Sequence, residues 1–527
     1  MHTGTPVQLS RARRSLAVAA VAGIALAGCS SASSSSSSGT AAKKTSDTLT
    51  IAVSAATDTL NPILGGNIDP LLIFEELVYA PLIYLKPDGS FAPGLAASWG
   101  YVGTGNRVFD LTLRSGVKFS DGSALSADGL KAYFEYTAKN GGGEEAARIN
   151  NFASIDVTGP LSLHITLKQP DPTLPYAFSQ PPGYVISPKG IQSPDALGTT
   201  PAGAGEYVLN AAKTVSKQTY VYDANPGYWD QSAVHWKHVI VKVLPDASAA
   251  LDAVRTGQAD YTIGSAREAG AAASAGLTVV AGQTNFGFVD FFDRTGTVVK
   301  ALGDLRVRQA LNYAIDRNAI VSGLYGKYAS PSDQILVPGA DGYVTSLDNY
   351  YPYNPAKAKQ LLAAAGYPNG FTMTLGAYNI LPGLTDVAQA FASYWSKIGV
   401  KTTVTVPIST PDWAASVTGK KFPAAVMQYN NQPMYSIVKF FQTPGEFFNP
   451  FGVSDATVQQ LMSQTAAADP TQAHAFYEQL QQWFVRNAFY VPFASLDKIV
   501  IFRKGLQGVQ VTSGAPNPNP IFWTASS

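Results

Sequence analysis

The sequence predicts an α/β protein built on mixed sheets. Short runs alternating apolar with polar residues recur along the chain, and longer stretches with helical spacing lie between them. Strands alternating with helices argue for layered α/β domains. The scale follows from length: from Leu49 to the end of the 527-residue chain there is room for two or three domains of roughly 100–200 residues each.

The first segments stand apart from that body. Arg11, Arg13 and Arg14 precede the apolar and small residues Leu16 to Ala27. This run is about half of what a membrane-spanning helix requires, so residues 1–28 read as a secretory signal. Small residues lead into Cys29, a lipobox pattern that marks Cys29 for lipidation as the mature N-terminus. The Arg13-Arg14 pair leaves a twin-arginine export route open beside the general one. Residues 29–46 are serine-rich and too polar to form a core, so they read as a disordered tether. Lipid, tether and body together predict a protein anchored to the membrane rather than spanning it.

The body opens with a strand at 48–54, where Leu49, Ile51 and Val53 alternate with small polar residues. A helix is expected from Asp69 towards Pro81. Along 107–113 Phe109, Leu111 and Leu113 fall on one face and Val108, Asp110 and Thr112 on the other, as in a half-buried strand. Ser126 reads as the cap of a helix running to about Lys139, and 161–167 as another strand. The proline-rich stretch 170–188 is expected to wrap the surface. Residues 207–209 and 219–222 read as a hairpin pair, 239–243 as a strand and 247–257 as a helix. One long helix is expected from Asp304 to Tyr325, with Arg306, Arg308 and Arg317 ion-paired, Asp304 and Asp316 being the nearby acids. Asn354-Pro355 opens a helix that Gly366 ends. Beyond it come a strand at 371–375, a helix at 385–398, a strand at 400–406 and helices at 455–468 and 471–485.

Composition narrows the function. Charged residues make up only 14% of the chain, and losing the three signal arginines leaves 34 basic against 36 acidic side chains. That balance gives no footprint for nucleic acid. The single cysteine excludes an internal disulfide and a thiolate metal site. No G-x-S-x-G elbow, H-E-x-x-H or phosphate loop is present, and His235 and His238 lack an evident third ligand. No catalytic residue, metal or cofactor is therefore expected, although a lipoprotein hydrolase with an unrecognised site stays open as the alternative class.

Several stretches, in order, carry a resemblance. They are Asp58-Thr59-Leu60-Asn61-Pro62, Tyr79-Ala80-Pro81-Leu82, Gly94-Leu95-Ala96-Ala97-Ser98-Trp99 and Leu113 through Gly122. Asn225-Pro226-Gly227-Tyr228-Trp229, Asp304 through Leu311 and Tyr353 through Ala358 follow. With them the chain resembles the family 5 extracellular solute-binding proteins, the dipeptide-, oligopeptide- and nickel-binding components of ABC importers. The resemblance implies a two-lobed periplasmic-binding-protein-like fold (class II, Venus-flytrap) with mixed sheets and an extra subdomain in the first lobe. It implies a first-lobe core from 47–79, 195–285 and 492–527, an added subdomain at 80–194, and a second lobe at 286–491. A short pair of strands would form the hinge. The implied partners are a peptide or other small molecule and the permease subunits of an importer, with membrane contact through the lipid only. The protein is expected to be a monomer outside the cytoplasm, at the outer face of the cytoplasmic membrane.

Two regions match family positions that line the cleft. One is the loop holding Gly66 and Asn67. The other joins Trp413 to Gln428, Tyr429, Asn430 and Asn431. Trp99 and Trp229 are expected in the core instead. In peptide binders of this type an acid after the second aromatic neutralises the peptide amine. Here no carboxylate lies between Asp412 and Glu446, and burying an unpaired ammonium costs several kcal/mol. Aromatic and amide side chains also suit a neutral ligand such as an oligosaccharide or a blocked or cyclic peptide. Both ligand classes remain open, with peptides first on the family's precedent.

Overall fold

The computed structural model describes residues 47–64, 71–378 and 383–526. Cys29, Gly66 and Asn67 fall outside them. Among the described residues, an eleven-stranded mixed sheet runs through the molecule. In order it contains Lys401–Thr405, Thr372–Ala377, Ala424–Asn430, Thr278–Asp290, Tyr490–Phe502, Tyr261–Gly264, Thr48–Val53, His238–Val243, Thr219–Ala224 and Tyr207–Leu209. Ala329–Pro331 branches from it by pairing with Tyr490–Phe502. A separate antiparallel sheet holds Ala96–Tyr101, Val108–Leu113, Ser162–Leu167 and Phe152–Gly159.

Alternation decides which faces are buried. In Val108–Leu113, Phe109, Leu111 and Leu113 are buried while Asp110 and Thr112 are exposed. Those inner side chains join Leu49, Ile51, Tyr261, Val500, Phe502 and Trp523 in one core. Two further cores draw only on the chain between Phe286 and Leu496, one around Trp395 and Phe391, the other around Phe288, Phe441 and Tyr490.

Two strands belong to both halves. Thr278–Asp290 and Tyr490–Phe502 are 13 residues each and pair antiparallel along their length. At one end Val500 and Phe502 enter the first core; at the other Val289 and Val491 enter the second, and Phe286, Phe288 and Tyr490 the third. The pairing shifts register between Gln283 and Asn285. Such an irregularity bends a strand and raises its local twist. Thr284, Asn285, Ser495 and Lys498 are all buried at this crossing, a polar belt between apolar cores.

Ser126 and Asn354 cap their helices as expected, and Asp455 and Asp469 cap two more. Each accepts a hydrogen bond from a backbone N–H of the first turn, and Gly366 follows its helix with φ 91°. Three expectations are corrected. The helix expected over 304–325 is two, Leu305–Tyr313 and Arg317–Leu324, because Asp316 caps the second through the Ala319 N–H. Arg306 does pair with Asp304 at 2.6 Å, but Arg317 pairs with Asp333 at 2.9 Å. Arg308 is held by the carbonyl oxygens of Leu302, Asn487 and Ala488. The stretch 170–188 does not wrap the surface: Leu174, Phe178, Tyr184, Val185 and Ile186 are buried in the first core. Its prolines sit at the first positions of short helical turns, and the apolar side chains between them point inward.

Candidate functional site

Strand Ala424–Asn430 pairs with Thr278–Asp290 and delivers its C-terminal end to the polar crossing. Its period of two splits the predicted site residues between faces. Ala424 and Val426 enter the second core, and Ala425, Met427 and Tyr429 belong to the third. Tyr429 thus sits with the aromatics Phe286, Phe440 and Phe441, its ring centroid 5.1 Å from that of Phe441. Gln428 and Asn430, both half-buried, alternate with it onto the opposite face, beside Gly287 and Asn285 of the neighbouring strand.

Trp413 lies on the helix Thr410–Thr418, where Ser409 caps the N-terminus. It is 3% exposed, stacked on Phe422 at 5.6 Å and tilted against Tyr378 at 4.9 Å. It therefore shares a core with Tyr429, a wall of aromatics rather than an isolated platform. Trp99 and Trp229 are half-buried against the first core, and the Arg114 guanidinium lies 3.8 Å from the centre of the Trp229 ring.

Asn431 joins three separate segments. Its backbone N–H donates to the Thr284 carbonyl at 2.7 Å, and its side-chain amide donates to the Ser513 carbonyl at 3.0 Å. Its buried Oδ1 accepts no hydrogen bond from the described residues. An orphaned amide oxygen in a buried site has the cost of a lost hydrogen bond until something supplies a donor. Nearby, Lys498 donates to Asn517 Oδ1 at 2.6 Å, tying the C-terminal tail to the crossing. Asp497 is half-buried there, and desolvation raises its pKa.

Beyond Asn431 the chain enters the helix Met434–Gln442. Tyr435 on this helix donates to the Pro170 carbonyl at 3.1 Å, and Lys439 pairs with Asp171 at 3.2 Å. Asn431 was singled out from the sequence; Lys498, Asp171 and Lys439 were not. Buried polar residues in otherwise apolar strands were the available signal for Lys498. Nothing local marks Asp171 and Lys439, which are 268 positions apart.

Among the described residues no cluster of histidine, cysteine or carboxylate side chains could hold a metal ion, and no helix is long and apolar enough to cross a membrane. What the arrangement offers is amide groups, aromatic walls and a polar crossing between packed halves, which suits capture of a solute.

The comparisons agree. The glutathione-binding protein GsiB of Salmonella typhimurium is 27% identical over 422 residues, covering 76% of this chain and 80% of its own length. GsiB of Escherichia coli O6:K15:H31 is 25% identical over 477 residues, covering 87% and 91%. The periplasmic binding protein DppA of Helicobacter pylori, solved with the peptide STSA, superposes with a TM-score of 0.79 at 20% identity, covering 91% of this chain and 98% of that one. It and its like share the two-lobed fold. The model for "Bacterial extracellular solute-binding proteins, family 5 Middle" matches residues 90–447. The chain belongs to family 5 of the bacterial extracellular solute-binding proteins.

Proposed function

We propose that this protein captures a small solute, a peptide first, between its lobes and delivers it to the permease subunits of an ABC importer while tethered through lipid on Cys29. The residues proposed to meet the solute are Gly66, Asn67, Trp413, Gln428, Tyr429, Asn430 and Asn431. The observation that carries the reading is the convergence at Asn431. There the end of one strand, the register break at Thr284 and the tail at Ser513 meet around an amide oxygen with no hydrogen-bond donor among the described residues. A ligand N–H placed there would satisfy it. Glutathione-binding relatives and a peptide-bound structural neighbour support a peptide.

One observation favours a second reading. The segment from Trp413 to Gly445 holds no carboxylate, so a free peptide amine finds no counter-charge there, and a neutral polar ligand such as an oligosaccharide fits the same amides. Thermal unfolding with glutathione, di- and tripeptides and oligosaccharides separates the two. A ligand at 100 times its Kd adds about 2.7 kcal/mol of stability. A rise with peptides supports the first reading, and a rise with oligosaccharides alone supports the second. Chemical turnover of any of them overturns the carrier role.

A further inference from the structure

We propose that Asp171 and Lys439 form a clasp across the seam between the lobes, setting solute affinity without touching the solute. This rests on the capture reading above, but the clasp has a readout of its own.

Asp171 lies between Leu167 and Leu174, both in the first core. Lys439 lies on the helix Met434–Gln442, whose Met434, Ile437, Val438 and Phe441 are buried in the third. The lysine nitrogen is 3.2 Å from Asp171 Oδ2, with the aspartate side chain 2% exposed and the lysine 30%. One turn earlier, Tyr435 donates to the carbonyl of Pro170. A third contact across the same seam comes from Asn106, whose amide donates to the carbonyls of Ala466 and Ala468, both at 3.0 Å.

Neither side can yield locally. Asp171 Oδ1 accepts from the Thr173 N–H at 2.9 Å and from its hydroxyl at 2.6 Å, and the Asp171 carbonyl accepts from Tyr101. Arg148, bonded to Thr173 at 3.3 Å, adds a second positive charge. The phenols of Tyr101, Tyr435 and Tyr477 complete the surroundings of the carboxylate. On the other side, Gln442 at the helix end accepts from Arg294 at 2.9 Å and donates to Tyr490. With both partners fixed in their own cores, separating the pair requires relative motion of the halves. Burial opposes the aspartate's charge, yet Lys439, Arg148 and Thr173 together hold its pKa below the usual carboxylate range. It therefore stays ionised at neutral pH.

Contacts made only in the closed arrangement raise the closed fraction, and apparent affinity scales with the fraction competent to hold ligand. The test uses the full chain with Cys29→Ser and paired fluorophores on exposed Thr158→Cys and Gln464→Cys. Single-molecule transfer efficiencies are recorded without ligand. Lys439→Met is expected to lower the closed-to-open ratio about fivefold, the upper range for a partly exposed ion pair. The melting temperature should barely change, and the Kd for glutathione should rise by the factor by which the measured closed fraction falls. Tyr435→Phe, which removes one hydrogen bond across the seam, should give a smaller shift in the same direction. Unchanged populations in both folded variants would overturn the clasp. Shifted populations in a protein that ignores glutathione would support it and count instead against the peptide reading.

Discussion

Two buried aspartates of this protein titrate in opposite directions, and the difference separates what holds a lobe together from what holds the lobes to each other. Asp290 and Asp171 are 0% and 2% exposed, and each faces a cation. Asp290 pairs with Arg294 at 2.8 Å through one oxygen, while its other oxygen has no hydrogen-bond partner among the described residues. Burial pushes Asp290 up to about 7 against the pull of Arg294. Asp171 suffers the same burial, but both its oxygens are engaged, by Thr173 and by Lys439, and Arg148 adds to the field, so its pKa is lowered. Burial alone does not set the sign; the number of donors reaching the charged form does.

The comparison can be broken at its internal side first. Arg317 sits wholly within one half, paired with Asp333 and donating to the Pro492 carbonyl at 2.8 Å and to Asn312 Oδ1 at 2.9 Å. Arg317→Met strands a buried carboxylate and is expected to cost about 3–5 kcal/mol in urea unfolding. A loss under 1 kcal/mol would mean that internal pairs matter no more than seam pairs. Next comes pH. The pKa of Asp290 is higher folded than unfolded, so the folded state binds more protons between about pH 4 and about pH 7. Its contribution is greatest at the acid end and is lost as pH rises through about 7, by up to about 1.4 kcal/mol per unit. Asp290→Asn should remove that slope when unfolding is measured at pH 5 and pH 8; an unaltered slope would assign it to other groups. Asp171 runs the other way, its contribution present at neutral pH and lost only as pH falls below the ordinary carboxylate range. The smallest expected effect lies at the seam. Asn106 has φ 50°, which glycine adopts without strain, so Asn106→Gly should change folding stability by no more than about 0.5 kcal/mol. The same variant should still lower the closed fraction seen by fluorescence. A large loss of stability would make Asn106 part of a core instead.

Local order was legible where one residue type does one job. Ser126 and Asn354 cap helices because each side-chain oxygen accepts from an N–H of the first turn. The helix over 304–325 was misread because its apolar stripe continues past Asp316, while Asp316 itself prefers a cap and restarts the turn. In the candidate site, Trp413 and Tyr429 do fall in one core. Gln428 and Asn430 do not join them, and the period of a strand was enough to foresee that. The seam was invisible for a different reason. A lysine and an aspartate far apart in sequence carry no mark of being neighbours until both lobes are folded.

The long strand pair has a consequence for how the chain is assembled in time. Thr278–Asp290 leaves the first half, and the chain returns to it only with Tyr490–Phe502. Val500 and Phe502, and then Trp523 tilted against Tyr261 with ring centroids 4.5 Å apart, complete the earliest core. Domains emerging from synthesis or export usually fold in sequence order. Here the half begun first must wait for the last stretch to be threaded through, while the half begun second can finish before it. The half that opens the described chain is thus the half whose completion depends on the far end of the polypeptide.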